Sequence, residues 1–220
     1  MRKPVTLITG ANGEIGHGLI AALAHKGETN VVGLDLDPLE DRIRDKVLES
    51  VMGTVLDRNL LERINAEYEI STVYHLAAIL SARAEYSPMT AHDVNVGGMI
   101  NLLHLALEQA ESQGRPVKFF FPSSIAVYGM GGPRERHDAG GITEDEYRHP
   151  ETMYGCNKLY CESLGIYFSR FYKRLTAEPN PDRLDFRALR FPGLISAVTL
   201  PSGGMTDYGS EMIHAAARDM

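Results

Sequence analysis

The sequence reads as a doubly wound, parallel α/β sheet, and three observations predict it. A short β-rich run, Val5 to Thr9, ends in a glycine-rich turn and leads directly into an apolar helical pattern, Leu19, Ile20 and Leu23. Similar runs recur at Asn30–Leu34, Ser50–Leu56, Thr72–Leu76, Val117–Phe121 and Leu184–Arg190, with helical or polar segments between them. Several of these runs end in small, acidic or hydroxyl residues, and ligands of parallel sheets gather at the carboxyl ends of strands.

The 220 residues, 44% of them hydrophobic, suffice for one sizeable core. The net charge of −7 is not interrupted by any basic block, which argues against nucleic acid and anionic membrane as partners. Cys156 and Cys161 lie too close on one helical segment for a disulfide framework, and they suggest a reducing, cytoplasmic location. The apolar run after Met-Arg-Lys-Pro is too short for a signal peptide, and no run of transmembrane length follows it.

The first turn is Gly10-Ala-Asn12-Gly13-Glu14-Ile15-Gly16. Strand, glycine turn and helix in this order make a dinucleotide site: the backbone can approach a pyrophosphate, and the new helix turns its N–H groups and positive end toward it. Asp35, at the end of the second run, can accept hydrogen bonds from adenosine ribose hydroxyls and would repel a 2′-phosphate, which favours NAD over NADP. The mixed-charge segment from Pro38 to Glu49 reads as a solvated helix or loop, and Asp57 after the third run could meet the adenine.

After the fourth run come Leu76-Ala77-Ala78-Ile-Leu-Ser81. The small residues would let this backbone pass close to the cofactor, and Ser81 could face the substrate. His75 is expected to be a satisfied core histidine. The spacing of Val94, Ile100, Leu103 and Leu107 predicts a helix from about Thr90 to Gln113, with Asn95 as a buried hydrogen-bonding group.

The fifth run leads into Pro122-Ser123-Ser124-Ile-Ala-Val-Tyr-Gly129, and both serines are well placed for a substrate. A serine hydrolase would want Gly-x-Ser-x-Gly at this elbow, and that motif is absent. Gly129 to His149 reads as a polar loop over the site whose acidic residues and histidines lack metal-ligand spacing. No metal is expected.

Thr152-Met-Tyr154-Gly-Cys-Asn-Lys158 opens a helix expected to reach about Arg174. Tyr154 and Lys158, at i and i+4, share one face. A free phenol has a pKa of about 10. A cation held beside it favours the phenolate and makes it a usable proton acceptor. The last stretch, Pro201 to Gly209, leads into a short helix from Glu211 to Arg218.

The Gly-x-x-Gly-x-x-Gly turn, Ser124 and Tyr154-x-x-x-Lys158 together resemble the extended short-chain dehydrogenase/reductase superfamily, with its Rossmann-type sheet. Leu80-Ser81-Ala82, Asp185-Phe-Arg-Ala-Leu-Arg-Phe-Pro-Gly-Leu-Ile-Ser196 and Gly203-Gly-Met-Thr206-Asp-Tyr208 look like segments of short-chain-type L-threonine 3-dehydrogenases. Met205 stands where that family has a threonine.

The resemblance implies Ser124, Tyr154 and Lys158 as the catalytic set. It places NAD against the glycine turn, Asp35, Asp57, Leu76, Ala77, Ala78, Asn95, Tyr154, Lys158, Phe191, Pro192 and Gly193. Substrate would meet Ser81, Ser123, Ser124, Tyr154 and Thr206. It also implies residues 1–200 as the NAD-binding domain, 201–220 as the incomplete start of a substrate-binding region, and a homodimer through the two long helices. The expected reaction is NAD-dependent oxidation of L-threonine or a similar small hydroxy compound. A nucleotide-sugar epimerase or dehydratase with tightly bound NAD is the alternative, and a non-catalytic NAD-binding protein a third reading.

Overall fold

The computed structural model describes residues 2–177, 182–195, 204 and 207–218. Among these, six strands form one parallel sheet: β1 (Lys3–Thr9), β2 (Val31–Asp35), β3 (Glu49–Met52), β4 (Tyr68–His75), β5 (Val117–Ser124) and β6 (Leu184–Phe191). Their order is β3-β2-β1-β4-β5-β6. The chain reverses its direction of winding between β1 and β4, which opens a crevice at their carboxyl ends. The helices are α1 (Glu14–His25), α2 (Asp41–Arg44), α3 (Arg58–Glu67), α4 (Ser81–Tyr86), α5 (Pro88–His92), α6 (Gly98–Gln113), α7 (Pro133–Ala139), α8 (Met153–Ile166) and α9 (Tyr208–Arg218).

Successive residues of a strand point to opposite faces, and the core divides accordingly. Val5 and Leu7 join Phe119, Phe121, Leu102 and Leu103 in the larger cluster, beneath α3, α6 and α8. Ile8 joins Ile20, Leu23, Leu39 and Ile43 in the smaller one, beneath α1 and α2. Val31 to Leu34 of β2 are all buried, as expected for a strand covered on both faces.

Several boundaries differ from expectation for local reasons. The strand expected at Ser50–Leu56 is β3, Glu49–Met52, because Gly53 and Thr54 turn the chain and Asp57 caps α3, accepting from the Leu60 N–H (3.1 Å). The expected single helix from Thr90 is α5 and α6 joined by a wide π turn, Asp93–Gly97. The Tyr154 helix likewise ends earlier than Arg174, in a π turn at Tyr167–Phe171. The polar loop from Gly129 contains a helix, α7.

Candidate active site

The nucleotide side of the crevice is built from backbone. Gly10 has φ +69°, and a Cβ there would lie 2.6 Å from the Ala77 nitrogen, so only glycine lets β1 exit against the strand-exit loop of β4. A Cβ on Gly16 would come within 2.4 Å of the Ala11 carbonyl oxygen, so the first turn of α1 folds directly onto the glycine turn. Gly13 is the N-cap of α1, and no side chain caps that end. A helix start left open in this way, beside a backbone that admits close approach, fits a pyrophosphate.

Asp35 closes β2 with its carboxylate against this turn. Oδ2 accepts from the Asn12 N–H and Oδ1 from the Leu36 N–H, both at 2.8 Å. The Asn12 amide ties the turn to the loop after β2, donating to the carbonyls of Asp37 and Pro38 and accepting from the Glu40 N–H. Glu14 and Ile15 begin α1. Asp57 is exposed, and its carboxylate serves the α3 cap.

Leu76, Ala77 and Ala78 leave β4 along the glycine turn, where the Leu76 N–H donates to the Thr9 carbonyl (3.0 Å). Thr9 Oγ1 lies 2.9 Å from His75 Nδ1. Burial pushes His75 down to about 3, with the Lys158 ammonium acting the same way, so the imidazole is neutral. It is a satisfied core histidine.

Asn95 sits in the π turn and is buried. Its Oδ1 accepts from the Ile79 N–H (2.7 Å), and its Nδ2 donates to the Ile79 carbonyl (3.1 Å). Its side chain therefore holds the β4 exit loop and reaches the cofactor side through that loop. Ser81, half-buried, is the first residue of α4 beyond it.

The opposite side, where the sequence places the candidate catalytic residues, is built from side chains. Thr152 caps α8, accepting from the Gly155 N–H (3.0 Å). Gly155 packs on the Ala126 carbonyl, which brings the start of α8 against the short turn Ile125–Val127. Ser124 caps that turn, accepting from the Ala126 N–H (3.1 Å), and its own hydroxyl hydrogen can still be donated. Ser124, Tyr154 and Lys158 thus meet where β5 ends on α8.

Lys158 is buried; its Nζ donates to the Pro122 carbonyl (2.6 Å) and lies 4.5 Å from the Phe121 ring centroid and 5.3 Å from that of Tyr154. Burial pushes this ammonium down to about 8. The Tyr154 phenol was expected to be lowered by Lys158, but burial pushes it up to about 12. Removing water from the phenolate outweighs a neighbouring cation that is itself desolvated and turned toward Pro122.

Ser123 also departs from expectation. It is 2% exposed, and its hydroxyl donates to Glu162 at 2.5 Å, so it faces the interior between β5 and α8 and is withdrawn from substrate. Phe191, paired with Ser124 across β5 and β6, ends its strand beside the site, and Pro192 and Gly193 continue exposed from it. Thr206 lies outside the described residues. Among the described residues no group of three or more His, Cys, Asp or Glu side chains could hold a metal ion, and no helix is long and apolar enough to cross a membrane.

Glu162 and Arg190 were missed by the sequence reading. Arg190, on β6, grips Glu162 of α8 with two hydrogen bonds, Nε to Oε1 at 2.9 Å and Nη2 to Oε2 at 2.7 Å. The available signal was spacing: Glu162 is four residues beyond Lys158, on the same helical face.

Fold and site together define an extended short-chain dehydrogenase/reductase. The chain belongs to the NAD dependent epimerase/dehydratase family, whose model matches residues 6–205. It is 36% identical over 213 residues to an uncharacterized epimerase/dehydratase of Staphylococcus epidermidis, covering 96% of this chain and 60% of that protein.

Among solved structures it resembles a monomeric L-threonine 3-dehydrogenase from a metagenome (37% identity, TM-score 0.78, 96% of this chain and 61% of that one). It is similar as well to the L-threonine dehydrogenase of Clostridium difficile (35%, TM-score 0.78, 98% and 61%). The GalE-like L-threonine dehydrogenase of Cupriavidus necator gives 34%, TM-score 0.78, 98% and 63%. The chain spans about 60% of the length of the curated relatives it matches.

Proposed function

We propose that this chain carries the cofactor and proton-transfer half of an NAD-dependent dehydrogenase that oxidises the secondary alcohol of L-threonine, or of a similar small hydroxy compound, to the ketone. The observation that carries this reading is the meeting of Ser124, Tyr154 and Lys158 at one strand end, across the crevice from the glycine turn. Similarity to several L-threonine dehydrogenases at 33–37% identity supports the substrate.

In this reading Gly10, Asn12, Gly13 and the first turn of α1, Glu14 to Gly16, hold the pyrophosphate of NAD. Asp35 holds the adenosine ribose, while Leu76, Ala77, Ala78, Phe191, Pro192 and Gly193 line the crevice. NAD⁺ held there would supply the hydride acceptor and a positive charge near the phenol. Tyr154 takes the hydroxyl proton as phenolate, and Ser124 donates a hydrogen bond to the same oxygen. Lys158 supplies the fixed cation beside them. Ser81 and Thr206 are proposed to meet the amino-acid end of the substrate.

A second reading, epimerisation or dehydration of a nucleotide sugar, is favoured by the family itself and by similarity to MoeE5 in complex with UDP-glucuronic acid and NAD (29% identity, TM-score 0.64). NADH formation with NAD⁺ and L-threonine separates the two. A rise in NADH that fails with NADP⁺ or D-threonine supports the dehydrogenase. NAD⁺ retained through purification without net NADH supports the second reading.

We also infer a homodimer through the helices after β4 and β5, a reading supported by the exposure of Tyr160, Ile166, Tyr167 and Phe171 along one of them. Sedimentation of the chain as a monomer would remove that inference.

A further inference from the structure

The Glu162 carboxylate is buried one turn beyond Lys158, and the proton transfer described above makes no use of it. Both its oxygens are occupied. Arg190 holds it in a two-pronged bond, and the Ser123 hydroxyl adds a third contact at 2.5 Å. Arg190 reaches further, donating to the Tyr128 hydroxyl (2.8 Å) and the Glu144 carbonyl (2.6 Å). One carboxylate therefore joins α8, β5 and β6, and through Arg190 the segment between β5 and α8.

Lys158 stands differently. Its ammonium is buried, which favours loss of the proton, and its contacts are a neutral carbonyl and the Phe121 ring, neither of which carries a negative charge. The charged and titratable groups facing it are Tyr154, Cys161 and Glu162 on its own helix and His75 from β4. Burial pushes the Cys161 thiol up to about 12, and His75 is neutral, so neither carries charge at ordinary pH. Glu162 is the negative charge that remains among them. It is faced in turn by Arg190 from β6, Arg148 from the loop before α8 and Ser123 from β5. Burial acts to raise the Glu162 carboxyl, but the bonds from Arg190 and Ser123 together hold it below the usual carboxylate range.

We propose that Glu162 is a positioning residue: the buried counter-charge, fixed by Arg190 and Ser123, that keeps Lys158 an ammonium beside Tyr154. Its catalytic meaning rests on the proposed role of Lys158, but its electrostatic content does not. In chain labelled with ¹³C at the lysine ε-carbons, the Lys158 signal is assigned by its loss in Lys158→Met and titrated without cofactor. Glu162→Gln keeps the size of the side chain and removes its charge, and it is expected to move the Lys158 midpoint down by about 1 pH unit. Glu162→Asp draws the same charge back by one methylene and is expected to give a smaller fall.

A Lys158 midpoint unchanged in both variants would overturn the proposal. So would an Asp variant that shifts as far as Gln, since the effect would then follow shape instead of charge. Where NADH formation is measurable, the alkaline limb of its pH profile is expected to fall with the Lys158 midpoint. A Lys158 shift in a chain that makes no NADH would uphold the counter-charge and count against the dehydrogenase reading alone.

Discussion

The two banks of the crevice are made by different means. On the nucleotide bank the contacts are set by backbone: a left-handed Gly10, an uncapped start of α1, and a carboxylate at the end of β2 receiving two N–H groups. On the bank of Tyr154 and Lys158 they are set by buried polar side chains, with Lys158 on a carbonyl, Ser123 on Glu162, and Glu162 on Arg190. A backbone site tolerates change wherever the main chain keeps its path. A network of buried charges depends on every member, because removing one leaves its partner desolvated and unpaired. The first bank should therefore fail through folding, and the second through titration and rate.

The sharpest separation is expected from Tyr154→Phe. It removes the proposed proton acceptor and should lower turnover on the order of 10³-fold or more, while NADH binding, read by its fluorescence, stays near wild type. Loss of binding to the same degree would place Tyr154 with the nucleotide bank. Gly10→Ala should do the reverse. The left-handed dihedral and the collision with Ala77 are expected to cost about 3 kcal/mol, seen as a lower urea midpoint together with lost cofactor binding.

Acid should expose the buried imidazoles. His75, held near 3 in the folded chain against an ordinary 6.5, binds its proton more readily when unfolded. Its contribution to stability is complete above about pH 6.5 and is lost progressively as the pH falls toward 3. His17, also lowered by burial, adds to the same trend. Urea midpoints measured across this range should fall with pH, and His75→Gln should flatten the fall. The smallest effect is expected from Thr152→Ala, about 1 kcal/mol from loss of the α8 cap, with no change in the pH at which Lys158 titrates.

The same contrast explains what could be read from the chain. The glycine turn, the alternation of strands and helices, and Tyr154 with Lys158 are local patterns, each within a few residues, and the sheet they predicted is the one observed. The place of Asp35, at the carboxyl end of β2, was legible because it closes a β-rich run. Ser123 was misplaced because adjacent strand residues point to opposite sides: Ser124 ends on the crevice, while Ser123 turns inward to a partner 39 residues away. Arg190 lies 28 residues beyond Glu162, and no local spacing relates them. The upward shift of Tyr154 was equally hidden, since spacing gives the nearness of a cation but not the water removed from both groups.

Asn95 meets the N–H and the carbonyl of Ile79 together, so its side chain does for that residue what a neighbouring strand does for a residue within a sheet. The hold depends on one end of the side chain accepting while the other donates. Aspartate has the same outline but offers two acceptors, and leucine offers neither. The loop beside the glycine turn is thus fastened by the order of two atoms, a distinction that neither volume nor polarity alone would record.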